Sequence, residues 1–142
     1  MLNGERMNSG FKKKVSDQFE RLIGRINRED VKRVLDRAMA KVQGLLHSGV
    51  DSVADLGRQI ALLCNMLRDW WNGFYEIPWA TVAASTAALL YFLNPLDVIP
   101  DFLPGIGLLD DALVIAICFK MIQSDLRRYA GIRNLDLKAY GL

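Results

Sequence analysis

The chain of 142 residues has little of what catalytic and secreted proteins commonly use. It contains one histidine, His47, and two cysteines, Cys64 and Cys118, which lie in apolar sequence without a CxxC pattern. These cysteines predict buried free thiols in a reducing compartment and argue against a disulfide framework. No Ser/His or Cys/His nucleophile arrangement can be assembled from the sequence. The polar residues 1–10 do not read as a signal peptide.

Basic residues are absent between Asp69 and Phe119, and charge of either sign is absent between Ile77 and Leu93. At about 1.5 Å per residue, the uncharged stretch forms a helix of about 26 Å, slightly short of a hydrocarbon core of about 30 Å. Such a helix lies either in a membrane or at the centre of a soluble bundle, where other helices surround it. We expect the membrane, with the bundle as the alternative.

Persistent alternation of apolar and polar residues is also lacking, so no strands are predicted. Apolar residues recur instead at helical spacing, and Asn27 and Pro78 have the residue types of helix starts. A last helix is expected from about Gly107 to Tyr129. The prediction is an all-α helical bundle containing an apolar hairpin joined by a Pro/Asp-rich elbow. The expected parts are a flexible N-terminal tail at residues 1–10, a basic amphipathic region at 11–73, the hairpin at 77–130 and a C-terminal tail at 131–142.

Aromatic and basic residues flank the apolar stretch in a way that is typical of membrane proteins. The aromatic residues cluster at one end of the uncharged helix, where they resemble an interfacial belt; they are Trp70, Trp71, Tyr75 and Trp79. Arginines precede the hairpin, and Lys120, Arg127 and Arg128 follow it. Because basic flanks stay in the cytoplasm, both ends of the hairpin are predicted to lie there.

The elbow combines helix-breaking residues with carboxylates that have no basic neighbour in sequence. Its breaking residues are Asn94, Pro95, Pro100, Pro104, Gly105 and Gly107, and its acids are Asp97, Asp101, Asp110 and Asp111. Short acids accept backbone hydrogen bonds in turns and suit helix starts, so a structural role is the first interpretation. The same acids could bind Mg²⁺ or Ca²⁺, or could transfer protons or ions within a membrane.

The elbow also resembles a known family. The positions Tyr91, Pro95-Leu96-Asp97, Ile99-Pro100-Asp101, Phe102, Pro104, Gly107 and Asp110-Asp111 follow the PxDxIPDxxPxxGxxDD hallmark of the YkvA-like family, a domain of unknown function. The resemblance covers about residues 80–122. It implies a mostly bacterial, membrane-associated protein without an established reaction.

These observations together predict a membrane-associated, non-enzymatic scaffold, adaptor or effector on the cytoplasmic side of the bacterial inner membrane. The expected partners are the lipid bilayer and either a second copy or another membrane protein. The small residues 83–88 offer a packing face for such oligomers. No cofactor and no nucleic acid are expected. The alternatives are a metal-dependent hydrolase using the four aspartates, and a soluble helical interaction module.

Overall fold

The structure is a computed structural model that describes residues 2–93 and 107–142, with side chains from 10 to 93 and from 112 to 142. The described residues form six α-helices and one 3₁₀ helix, and none of them lies in a strand. The predicted all-α fold is therefore confirmed. The helices are α1 (Leu2–Ile23), α2 (Arg28–Leu46), α3 (Asp51–Trp71), α4 (Trp79–Leu93), α5 (Gly107–Met121) and α6 (Gln123–Ile132), followed by the 3₁₀ helix Leu137–Tyr140.

Helix α2 begins at the N-cap that the sequence predicts. The side chain of Asn27 accepts a hydrogen bond from the Asp30 amide at 3.0 Å, and the Asp30 carboxylate accepts one from the Asn27 amide at 3.0 Å. This reciprocal capping box satisfies two amides that lack partners within the helix. The start of α2 is therefore fixed by local chemistry.

Helix α4 is the centre of the bundle, because it contacts α1, α2, α3 and α5. Every residue from 81 to 89 is buried. The core around it includes Phe19 of α1, Val34 of α2 and Leu63 of α3, none of which has exposed surface. Helix α4 can thus be apolar on all sides because other helices cover all of its sides.

The predicted hairpin exists as the packed pair α4 and α5, but the prediction that lipid covers α4 is wrong. The small residues of α4, from Ala83 to Ala88, are buried within the chain and therefore do not form an exposed oligomer face. Amphipathic helices remove this apolar surface from water as effectively as lipid would. Among the described helices, none has both the length and the apolar character that crossing a bilayer demands.

A lysine from the basic front half lies at the C-terminal end of α4. Lys41 Nζ donates a hydrogen bond to the Phe92 carbonyl at 2.5 Å and lies 4.5 Å from the centre of the Phe92 ring. A cation is favourable there because the helix dipole is negative at its C-terminus. The fold therefore places a positive charge beside the uncharged stretch from residue 77 to residue 93.

The last long helix is broken where the sequence predicts one continuous element. Helix α5 ends at Met121 and α6 begins at Gln123, with Ile122 between them at φ −112° and ψ 22°. Ile122 is buried, and no glycine or proline occurs nearby to indicate the break.

A side-chain hydrogen bond joins α6 to α4. Thr81 Oγ1 of α4 donates to Asp125 Oδ2 at 2.5 Å, which holds the first turn of α6 against α4.

Both predicted tails contain helix. Helix α1 begins at Leu2, within the segment predicted to be a flexible tail. At the other terminus, Gln59 Nε2 of α3 donates to the Tyr140 carbonyl at 3.2 Å and holds the 3₁₀ helix in place. The helix ends therefore do not coincide with the predicted boundaries at residues 10 and 131.

Candidate functional site

The acidic elbow lies almost wholly outside the described residues. This applies to Asn94, Pro95, Asp97, Pro100, Asp101, Pro104 and Gly105. Gly107 is the first residue of α5, and Asp110 and Asp111 lie in that helix, but their side chains are not among those described. Their structural or metal-binding role therefore stays a prediction. Within the described side chains, no three His, Cys, Asp or Glu residues converge as a metal site.

Three of the four predicted interface residues form one cluster. The Trp70 ring centroid lies 6.4 Å from that of Trp71 and 6.1 Å from that of Trp79. The Arg28 guanidinium, at the start of α2, lies 4.9 Å from the Trp71 centroid and 5.6 Å from the Trp70 centroid. These cation–π contacts hold a positive charge against the rings. The sequence does not indicate this role of Arg28, because nothing near Arg28 in the chain relates it to the tryptophans.

Tyr75, the fourth predicted residue, packs against α6. Its ring makes an edge contact with the Tyr129 ring at a centroid distance of 5.1 Å. Arg128 Nε donates to Tyr75 Oη at 2.9 Å, and Arg128 Nη2 donates to the Glu76 carbonyl at 3.0 Å. The segment after α3 is thereby joined to α6. We call the surface formed by Trp70, Trp71, Phe74, Tyr75 and Trp79 the aromatic end.

Phe74 is the most exposed residue of the aromatic end, at 77%. It follows a Schellman motif at the end of α3, in which the Gly73 amide donates to the Trp70 carbonyl at 3.1 Å and the Phe74 amide to the Asp69 carbonyl at 2.8 Å. Gly73 provides the left-handed backbone that this motif requires, at φ 80°. In this motif an apolar residue at the position of Phe74 frequently packs against an apolar side chain five or six residues earlier, but those positions hold Asp69 and Arg68 here. Phe74 points outward instead.

Helix α6 also ends in a Schellman motif, but there the residue after the left-handed position packs inward. The Asn134 amide donates to the Gly131 carbonyl at 3.1 Å, and the Leu135 amide donates to the Ala130 carbonyl at 2.8 Å. Asn134 takes the left-handed conformation at φ 57°. Leu135 occupies the position equivalent to Phe74, and it packs against the core. The backbone motif therefore does not by itself explain why Phe74 is exposed.

A polar bridge links α3 to α6 beside the aromatic end. Tyr129 Oη donates to Asp69 Oδ2 at 2.6 Å, and Arg133 forms an ion pair with the same carboxylate oxygen. Burial, and then the hydrogen bond to Asp69, raises the pKa of Tyr129 to about 12. Tyr129 is therefore protonated at neutral pH and remains a hydrogen-bond donor to Asp69.

Two adjoining clefts share this bridge, since Asp69, Tyr129 and Arg133 line both. The first cleft has a volume of about 310 Å³, and its other lining residues are Asn65, Arg68 and Leu135. The second has a volume of about 530 Å³, and its other lining residues are Phe74, Tyr75 and Ile132. Ile132 is 61% exposed. A cleft with arginines thus adjoins a cleft with exposed apolar side chains.

Both cysteines are buried free thiols, as the sequence predicts. Burial raises the pKa of Cys64 to about 12 and raises the pKa of Cys118 as well. Because the thiolate is the nucleophilic form, these thiols do not act as nucleophiles near neutral pH. Cys118 Sγ donates to the Ala84 carbonyl at 3.6 Å and so contributes to the contact between α5 and α4.

Comparison with known proteins identifies the family. Residues 81–117 match the family model described as Protein of unknown function (DUF1232). The chain is also 41% identical over 73 residues to the Uncharacterized membrane protein YkvA of Bacillus subtilis (strain 168), an alignment that covers 51% of this chain and 69% of the relative. No solved structure matches the chain significantly. The chain therefore belongs to the YkvA-like family, as its elbow sequence predicts.

Proposed function

We propose that this protein is a membrane-associated, non-enzymatic scaffold or adaptor that contacts the bilayer surface with its aromatic end. The observation that carries the proposal is the 77% exposure of Phe74, a large apolar side chain at the aromatic end. Trp71 and Trp79, which belong to the same aromatic end, are 36% and 46% exposed. Several exposed large apolar side chains at one end of a fold support an interaction site there.

The residue types at this surface favour a bilayer as the partner. Tryptophan and tyrosine are enriched at the headgroup level of membranes, because their rings are apolar and their N–H and O–H groups are polar. Arg28 lies against the Trp70 and Trp71 rings at this end, whereas Arg128 and Arg133 beside it are already paired with Asp125 and Asp69. A basic residue close to an anionic membrane surface contributes about 1 kcal/mol of attraction. The combination supports an anionic bilayer.

The relative from Bacillus subtilis is called a membrane protein, and its similarity to this chain supports a membrane partner. We place the protein at the bacterial cytoplasmic membrane with its bulk on the cytoplasmic side. A reducing compartment there suits the two free thiols. A second copy or another membrane protein is the further partner that a scaffold or adaptor requires.

Phe74→Ser should lower the affinity for anionic vesicles about tenfold. Full burial of a phenylalanine side chain contributes about 1.5–3 kcal/mol, and about 1.4 kcal/mol corresponds to a factor of ten. Co-sedimentation with vesicles of phosphatidylglycerol and phosphatidylcholine measures the change. Vesicles of phosphatidylcholine alone should retain less of the wild-type protein.

Val50→Ser is the matched control for this experiment. Val50 is 52% exposed and immediately precedes α3, at the end opposite to Trp71. The 21 residues of α3 separate the two positions by about 30 Å. Val50→Ser should therefore bind vesicles like the wild type. Equal losses for the two variants would contradict the proposed docking surface.

A further inference from the structure

We propose that the two adjoining clefts between α3 and α6 bind one anionic phospholipid. Its phosphate contacts Arg68 and Arg133 in the first cleft, and its apolar part lies beside Phe74 and Ile132 in the second. This proposal rests on the proposed function, because it specifies which lipid group the protein recognises when its aromatic end meets the bilayer.

The first cleft has unused donors for a phosphate. Arg68 is exposed, and it takes part in none of the ion pairs among the described side chains. Arg133 uses Nη2 for Asp69, and a guanidinium has five N–H donors in all. Guanidinium groups bind phosphate through paired, charge-assisted hydrogen bonds. The side-chain amide of Asn65 adds a further donor at the same wall.

Among the described residues that line this cleft, the one carboxylate, Asp69, does not oppose an anion strongly. Asp69 Oδ2 already accepts the Tyr129 hydroxyl and pairs with Arg133. With Arg68 and Arg133 both charged, the lining has one more positive than negative charge. The polar bridge therefore positions Arg133 and neutralises Asp69 at the same time.

The second cleft provides apolar surface for the apolar part of the lipid. Phe74 and Ile132 line it and are both largely exposed. Arg68 lies three residues before Trp71, the last residue of α3, which is about 5 Å along the helix axis. When the aromatic end enters the interface with α3 along the bilayer normal, Arg68 lies farther from the bilayer centre than the rings do. That order matches a phospholipid, whose phosphate lies outside its acyl chains.

The test uses a soluble phosphate and a vesicle in parallel. The soluble probe is sn-glycerol 3-phosphate, followed by the NMR resonances of the Asn65 side-chain amide. The membrane probe is the phosphatidylglycerol vesicle. Arg68→Gln is the test variant, and Arg37→Gln is its charge-matched control, because Arg37 is an exposed residue of α2 that lines neither cleft. Circular dichroism establishes that both variants fold.

We expect sn-glycerol 3-phosphate to shift the Asn65 resonances of the wild type and of Arg37→Gln, and Arg68→Gln to bind it at least tenfold more weakly. Vesicle affinity should fall about tenfold in Arg68→Gln and less than threefold in Arg37→Gln. Equal behaviour of the two variants in both assays would overturn the proposal, while a loss in Phe74→Ser would still support the membrane function.

Two mixed results also decide the matter. Weaker vesicle binding by Arg68→Gln without any Asn65 shift in the wild type would reduce Arg68 to a general electrostatic contribution and overturn the cleft as a binding site. Arg68-dependent binding of sn-glycerol 3-phosphate with unchanged vesicle affinity would overturn the lipid assignment and identify a soluble phosphate compound as the ligand.

Discussion

Phe19→Ala should lower the free energy of unfolding by about 3–5 kcal/mol. Phe19 has no exposed surface, and it lies on α1 in the core that surrounds α4. Removing the ring forfeits its burial and leaves a cavity that the neighbouring helices fill only in part. Urea denaturation followed by far-ultraviolet circular dichroism measures the loss, which is a large fraction of the total stability of a typical domain.

Phe74→Ala is the matched control, because it removes the same ring from a position that is 77% exposed. Its effect on unfolding should stay within about 0.5 kcal/mol, as for most surface substitutions. In the vesicle assay, Phe74→Ala should weaken binding and Phe19→Ala should not. Similar unfolding free energies for Phe19→Ala and Phe74→Ala would show that α1 does not cover α4 as described.

Ala87→Leu should destabilise the protein by about 1–3 kcal/mol, although leucine is more hydrophobic than alanine. Ala87 has no exposed surface, and α4 is in contact with four other helices. A larger side chain at this position must displace its neighbours or take an unfavourable rotamer. The same denaturation experiment measures the cost.

The substitution at Ala87 separates a helix covered by protein from one covered by lipid. On a lipid-facing helix leucine is favourable, at about −0.3 to −0.6 kcal/mol per residue. Ala80→Leu is the control within α4, because Ala80 is exposed in the first turn and should accept leucine at little cost. If Ala87→Leu were as stable as Ala80→Leu, the central position of α4 would be refuted.

Features that depend on local sequence could be predicted. The capping box at Asn27 and Asp30 involves groups only three residues apart, so their types and spacing determine it. The all-α class and the start of α2 follow from apolar periodicity and from such signals. The sequence predicts the family correctly because the family's hallmark is contiguous in the chain.

Features that depend on tertiary packing could not be predicted. The residues of α4 are the same whether lipid or protein covers them, and only the placement of α1, α2, α3 and α5 shows which does. The break at Ile122 has no glycine or proline signal. The pairing of Arg28 with Trp70 and Trp71 joins distant parts of the chain.

The candidate site was predicted in part for the same reason. The tryptophans are predicted to be interfacial because they are close in sequence, whereas the contribution of α6 depends on the fold. The clefts are formed only when α6 and the residue after it pack beside α3. This packing places Tyr129, Ile132 and Arg133 opposite Asp69 and Phe74. The position of Phe74 depends on the direction of one side chain, which the Schellman motif allows but does not determine.

Tryptophan fluorescence in vesicles with brominated lipids tests the central claim most directly. The chain has three tryptophans, Trp70, Trp71 and Trp79, and all belong to the aromatic end. Their emission therefore reports on this surface without any label. We expect anionic vesicles to shift the emission to shorter wavelength, with stronger quenching by bromines near the headgroup than by bromines deep in the acyl chains. Unchanged emission and no quenching from protein that sediments with those vesicles would contradict membrane contact through the aromatic end.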